Sequence, residues 1–271
     1  MADAVARAAA FVRAQGDALA QARLAWLLAG QPVPDALLTE LLAGQRADGG
    51  YAPFWAPASS SVDATCYRLA QVLQVGGGLE RPEVGRATEF LHYRQAPGGF
   101  WQEAETLAEL APPWAAPGDL AATLYLTANT SFLLASLGAT AELNRAAAWL
   151  AQHQAINGNL PSFLHTHWLA AGLWLQLGKA EPAGATLDYL ATRLPELSAN
   201  NLTWLMTTLA QAGLSPAVPL LRDARTRLLV LQAADGRWPS DDLSGRDVTV
   251  TLEALAALRF FAKGEYDGDQ S

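Results

Sequence analysis

Gln95-Ala96-Pro97-Gly98-Gly99-Phe100-Trp101 is one of four copies of a short phrase in this chain. The others are Gln45-Arg46-Ala47-Asp48-Gly49-Gly50-Tyr51, Gln154-Ala155-Ile156-Asn157-Gly158-Asn159-Leu160 and Gln232-Ala233-Ala234-Asp235-Gly236-Arg237-Trp238. A leucine stands four residues before each glutamine (Leu41, Leu91, Leu150, Leu228), and in two copies an aromatic stands five before, Phe90 and Trp149. The phrase closes a helix: Gly or Asn supplies the turn conformation that breaks it, and the aromatic folds back onto a neighbouring element.

The segments leading into the phrase are amphipathic, as in Leu143, Ala146, Ala147 and Leu150 set against Glu142, Asn144, Arg145 and Gln152. Those leading out, residues 64–75, 120–137, 163–177, 202–212 and 248–261, are apolar or small nearly all round, the pattern of a buried helix. Residues 4–14 followed by 17–28, and 182–194 followed by 202–212, form two further pairs without the glycine phrase. The count is six outer and six inner helices in an all-α chain.

With 51% hydrophobic residues, 16% charged residues and nine tryptophans spread over 271 residues, the chain is globular rather than disordered. One domain is expected over 1–264, with a short acidic tail over 265–271. A net charge of −8 and the lack of a Lys/Arg cluster argue against a nucleic-acid partner. No transmembrane segment is expected, because the most apolar window, 120–137, carries Thr123, Thr127, Asn129, Thr130, Ser131 and Ser136. Arg7 and Arg13 interrupt the first apolar stretch, unlike a signal peptide. The single cysteine, Cys66, excludes an internal disulfide and suits a reducing, cytoplasmic location.

Phe90-Leu91 with Gln95 and Trp101, and Trp149-Leu150 with Gln154 and Gly158, resemble the QW motif of squalene-hopene and oxidosqualene cyclases; Glu40 and Arg227 depart from its aromatic position. From the first glycine phrase to Phe261 the chain resembles the terpenoid cyclase and protein prenyltransferase superfamily. That resemblance implies closure of the six pairs into an (α/α)6 toroid.

It also implies chemistry. Class II cyclases of this superfamily protonate an alkene or epoxide with the middle aspartate of a D-x-D-D motif at the start of an inner helix. Ser61-Val62-Asp63-Ala64-Thr65 matches it at Asp63, with Ser61 and Ala64 in place of both flanking aspartates. The prenyltransferases bind zinc through a His-Thr-Cys-Tyr-like phrase and an Asp-x-Cys pair. Ala64-Thr65-Cys66-Tyr67 puts alanine at the histidine position, so no metal and no cofactor is expected. A site rebuilt from Asp63, Cys66 and His165 or His167 is the alternative.

The residues themselves leave other roles open. Asp63, Asp119 and Asp247 each stand at the start of an inner helix, where a carboxylate caps free N–H groups. His165 and His167 point roughly 200° apart on a helix, so only one of them can face a ligand as base or polarising group, and the other role is a hydrogen bond near the helix start. Residues 96–118, the longest connection, hold Glu103, Glu105, Glu109, Trp101 and Trp114 and form either a lid or a tolerated insertion. Asp241-Asp242 with Arg246 and Asp247 lack the spacing that holds magnesium diphosphate and are read as a solvated loop.

The expectation is a divergent cyclase-like toroid that takes an apolar, isoprenoid-like ligand against Tyr67, Tyr125, Phe132, Trp168, Trp174 and Trp204. Asp63 is the candidate acid for cyclase or isomerase chemistry, with Asp247 or His165 assisting. The alternatives are a non-catalytic binding module or partner subunit for another protein, and a hydrolase with Asp63 and Asp247 facing one cleft.

Overall fold

The computed structural model describes residues 1–271 except 77, 141, 242, 243 and 268–271. Among the described residues there are twelve α-helices, no strand ladder, and one isolated bridge between Tyr51 and Ser61. In chain order the helices are α1 (Ala2–Gln15), α2 (Ala18–Ala29), α3 (Asp35–Leu42), α4 (Val62–Val75), α5 (Pro82–Tyr93), α6 (Leu120–Ser136), α7 (Leu143–Gln152), α8 (Leu164–Gln176), α9 (Ala180–Arg193), α10 (Ala199–Gln211), α11 (Pro219–Val230) and α12 (Asp247–Asp267). These are the six pairs that an α/α toroid requires, with ends within a few residues of the expected ones. Helix α12 runs through the first three residues of the expected tail; the rest of that tail and Asp242 lie outside the described residues. No helix of the described residues is long and apolar enough to cross a membrane.

The contacts divide the chain into two compact units, Asp35–Tyr189 and Met1–Pro34 with Leu190–Ser271. In the first, α6 packs on α4, α7 and α8, and α4 packs on α3 and α5. Helix α6 buries twelve of its residues, Ala122 to Leu134 except Asn129. In the second, α12 packs on α10, α1 and α2, so the last helix lies against the first two.

The four phrases do one physical job in both units. The glutamine Nε2 donates to the carbonyl of its own turn glycine in three copies, Gln45 to Gly49, Gln95 to Gly99 and Gln232 to Gly236, and Gln45 and Gln232 also donate to a neighbouring helix at Glu83 O and Ala4 O; Gln154 donates to Pro182 O and to the Thr186 hydroxyl, which in turn donates to Gly158 O. Trp101 and Trp238 are fully buried, and each donates its indole N–H to the leucine of its own phrase, Leu91 O and Leu228 O, at 2.7 Å. The glycine of the turn has positive φ in every copy (Gly49, Gly99, Gly158, Gly236). At Gly158 an added Cβ would fall 1.9 Å from the Ala185 carbonyl oxygen on α9, so only glycine lets the turn approach that helix. Gly236 meets Arg7 of α1 in the same way, which joins the last phrase to the first helix.

Candidate functional site

A second regularity, one step further along, builds the site. After each turn the backbone N–H of the aromatic or leucine is taken up by a polar side chain on the following buried helix: Tyr51 N by Thr65 Oγ1, Trp101 N by Thr127 Oγ1, Leu160 N by His167 Nε2, and Trp238 N by Thr251 Oγ1. Those anchors give α4, α6, α8 and α12 a common sequence register, each counted from its own turn. Two residues before the anchor stand Asp63, Tyr125, His165 and Thr249 respectively. The first three belong to one unit, and their helices pack in the order α4, α6, α8.

The row is in contact. The Tyr125 hydroxyl donates to Asp63 Oδ1 at 3.2 Å, and the Tyr125 ring meets the His165 imidazole edge-on with centroids 4.7 Å apart. Phe163 stacks flat on His165 at 5.5 Å and meets Tyr125 edge-on at 6.3 Å. Trp114, from the 96–118 connection, donates its indole N–H to Asp63 Oδ2 at 3.2 Å.

Asp63 is not a cap. Ser61 caps α4 by accepting from Ala64 N at 3.1 Å, and the remaining donors of the first turn go to Glu103. Glu103 Oε1 accepts from the Ser61 hydroxyl (2.6 Å) and Asp63 N (2.9 Å), and Oε2 accepts from Val62 N (3.0 Å). This buried carboxylate satisfies the helix start that an aspartate at 63 would otherwise serve. Asp119 does cap α6, taking Ala122 N at 2.9 Å.

Burial sets the proton affinities of the row. It pushes the Asp63 carboxyl above its ordinary range, and the donors Trp114 and Tyr125 offset only part of that. Burial also raises Glu103, against the three donors that favour its charge. Tyr125 rises well above its usual value by burial and then by the neighbouring Asp63 charge. His165 is lowered to about 4, mainly by burial and secondarily by His167, and stays neutral at physiological pH.

Tyr125 (7%), Asn129, Phe132 (6%) and Ser136 share one face of α6 and keep some exposure, as do Thr123 (6%) and Leu133 (5%) off that face, against none for Leu124, Leu126 and Leu134. The stripe that begins at the Tyr125 row holds Asn129, the one residue of 122–134 that is not buried. Tyr67, 55% exposed, follows Asp63 by one turn on the same face of α4. Two surface grooves of about 320 and 360 Å³, around Arg86 and Tyr93 and around Trp174 and Lys179, share no residue with this row.

No protein-family model and no curated protein sequence matches the chain. Solved structures do. Type II terpene cyclase MstE from Scytonema, without ligand, is 18% identical over 97% of this chain and 98% of its own, with a TM-score of 0.66. A variant of it in complex with geranylgeranyl dihydroxybenzoate, its substrate, gives 0.64 at 17% identity, each chain covered to 97%. A protein from Actinoplanes gives 0.65 at 19%, covering 96% of this chain and 99% of its own. The fold is that of the type II terpene cyclases.

The other candidate residues fall apart from the row or serve the frame. Asp247 occupies the register position of Ser61, not that of Asp63; its carboxyl accepts from Ser240 N at 2.8 Å and pairs with Arg237 at 3.4 Å, in the other unit. Trp204 lies half-buried on α10, also in that unit. Trp168 is fully buried one turn from His165, ring centroids 6.2 Å apart. Trp174 donates to Ala147 O at 3.0 Å and holds α8 to α7. His167 is an anchor, Nε2 taking Leu160 N and Nδ1 facing the Phe163 and Leu164 carbonyls. Cys66 turns to the Thr130 hydroxyl at 3.3 Å and burial raises its thiol, so it does not join Asp63 in a metal site. Of the 96–118 connection, Glu103 and Trp114 belong to the site; sequence reasoning singled out the segment but not the roles of these two.

Proposed function

We propose that the chain is a divergent terpenoid-cyclase-like toroid, with the four glutamine-glycine turns as QW-type repeats, that binds an apolar, isoprenoid-like molecule along the α4, α6 and α8 stripe and protonates it from Asp63. The observation that carries this is the release of Asp63 from capping. Ser61 and Glu103 take over the helix start, and the Asp63 carboxyl is left half-buried between Trp114 and Tyr125 with its proton held more tightly than usual.

The chemistry follows from the donors. An indole N–H can only donate, so Oδ2 acts as acceptor and the acid proton belongs on Oδ1, beside a Tyr125 hydroxyl that can donate or accept. Transfer of that proton to an alkene carbon leaves a carboxylate on Asp63 and a carbocation on the ligand. The faces of Tyr125 and Phe163 suit a cation, and a neutral His165 next to them can take a proton from an adjacent carbon, which closes the sequence as a new alkene. Asp247, with both oxygens committed to Ser240 and Arg237, is an anchor in this scheme. A reducing, cytoplasmic setting suits the buried Cys66.

The second reading is a binding module or partner subunit without catalysis. Ser61 and Ala64 in place of the flanking aspartates favour it, as does the Trp114 indole, which covers one oxygen of the acid. Incubation with geranylgeraniol and with squalene, wild type against Asp63→Asn, separates the two. Cyclised or isomerised product from wild type alone supports the acid; binding without product from either protein supports the module.

A further inference from the structure

Trp101 and Trp114 belong to the same 96–118 connection and are held in opposite ways. Trp101 is fully buried and spends its indole N–H on Leu91 O. Trp114 keeps 36% of its surface exposed, and the part turned inward is the N–H, on Asp63 Oδ2. Burial of the ring therefore does not account for where Trp114 points; the hydrogen bond does.

The backbone beneath Trp114 is braced. It lies in the short 3₁₀ turn Pro113–Ala115, which packs on α6, between Pro112 and Pro117, with Ala115 fully buried. Glu103 ties one end of the segment to the start of α4, and Asp119 closes the other as the cap of α6. A donor on such a base stays aimed at one oxygen. The Tyr125 hydroxyl on Oδ1 can turn from donor to acceptor, whereas an indole N–H has nothing to accept with.

Two effects of opposite sign meet in this one side chain. The N–H favours the charged carboxylate and so makes Asp63 a stronger acid; the ring displaces water from the carboxyl and so makes Asp63 hold its proton. An acid that protonates an alkene needs both, a proton still in place when the ligand arrives and a stabilised carboxylate once it has gone.

We infer that Trp114 is a positioning residue for Asp63: it keeps the proton on Oδ1, screens the carboxyl from water, and stabilises through Oδ2 the carboxylate that proton transfer leaves. In that transfer the O–H bond at Oδ1 breaks, a C–H bond forms on the alkene carbon, and the electron pair of the O–H bond stays on the carboxylate, where Oδ2 already has its donor. For the reaction this rests on the acid reading above; the effect on the carboxyl itself needs no ligand. The titratable groups around Asp63 are Tyr125 of α6, Glu103 of the connection and Cys66 of α4, and none of them is an aspartate.

A ¹³C NMR titration of aspartate carboxyls therefore reads Asp63 apart from these groups, in wild type, Trp114→Phe and Trp114→Ala. Phenylalanine keeps a ring over the carboxyl and loses the N–H, so the Asp63 midpoint is expected about one pH unit above that of wild type. Alanine loses the ring as well, and its midpoint should lie below that of the Phe variant. A midpoint in Trp114→Phe at or below wild type overturns the role of the N–H, and equal midpoints in the two variants overturn the screening. Where wild type forms product from geranylgeraniol or squalene, Trp114→Phe is expected to lower kcat by about three- to tenfold with KM unchanged, and an unchanged kcat overturns the positioning role. No product from wild type removes the acid reading, while the midpoints still decide what Trp114 does to Asp63.

Discussion

The starts of α4 and α12 are two versions of one local design, Ser61-Val62-Asp63-Ala64-Thr65 and Asp247-Val248-Thr249-Val250-Thr251. In both, the threonine at the fifth position receives the N–H of a buried aromatic from the preceding turn. The aspartates differ. In α12 the acid stands first and is consumed by the frame, holding Ser240 N and Arg237. In α4 serine stands first, Glu103 arrives from a distant loop, and the acid two places on is free to face Tyr125 and Trp114. A carboxylate becomes available for chemistry when other groups satisfy the helix end it would have capped.

The largest consequence is in turnover. Asp63→Asn is expected to lower product formation by about 10²–10⁴-fold, the worth of a general acid, while Asp247→Asn stays within a few-fold of wild type. Stability moves the other way: denaturant melts should find Asp63→Asn at least as stable as wild type at neutral pH, because the cost of a buried carboxylate is gone, and Asp247→Asn about 1 kcal/mol less stable.

Helix α8 carries the same register with His165 in the place of Asp63, which extends the comparison to pH. A histidine held near 4 when folded and near 6.5 when unfolded gives stability that is present above about 6.5 and lost as pH falls through 4, on the order of 3 kcal/mol in all. Burial of Asp63 and Glu103 acts with the opposite sign, since carboxyls with raised affinity lose their contribution as pH rises. The difference between wild type and His165→Gln in melts from pH 7 to pH 4 isolates the histidine, and the variant is expected to lose less stability on acidification.

Removing the carboxylate that frees Asp63 is the next test. Glu103→Ala leaves Val62 N, Asp63 N and the Ser61 hydroxyl without their acceptor, and a loss of about 2–3 kcal/mol is expected in chemical denaturation. Glu103→Gln, which keeps one acceptor oxygen, should lose less. The smallest effects sharpen what the two helix starts share: Thr65→Val and Thr251→Val should each cost about 1–2 kcal/mol, by equal amounts, since both threonines take one buried N–H.

How much of this could be read in advance follows from how local each interaction is. The helix pairs were legible because Gln45, Gln95, Gln154 and Gln232 mark turns whose glycine and aromatic sit at constant offsets. Asp63, Tyr125 and His165 were legible as individuals, from composition and from resemblance. Their common register was not, because the anchors stand 14, 26, 7 and 13 residues after the turn and one of the four is His167 rather than threonine. Nothing local tells Glu103 from Glu105 or Glu109. Only tertiary folding turns Glu103 inward, and with it Asp63 is no longer needed as a cap.

A ¹³C NMR titration of the aspartate carboxyls, wild type against Asp63→Asn, tests that change of role most directly. The expected result is one resonance, missing in the variant, whose midpoint lies clearly above the ordinary aspartate value of about 3.9. A midpoint at or below that value would mean a carboxylate stabilised by its neighbours, as a cap is, and would contradict an acid set free by Glu103.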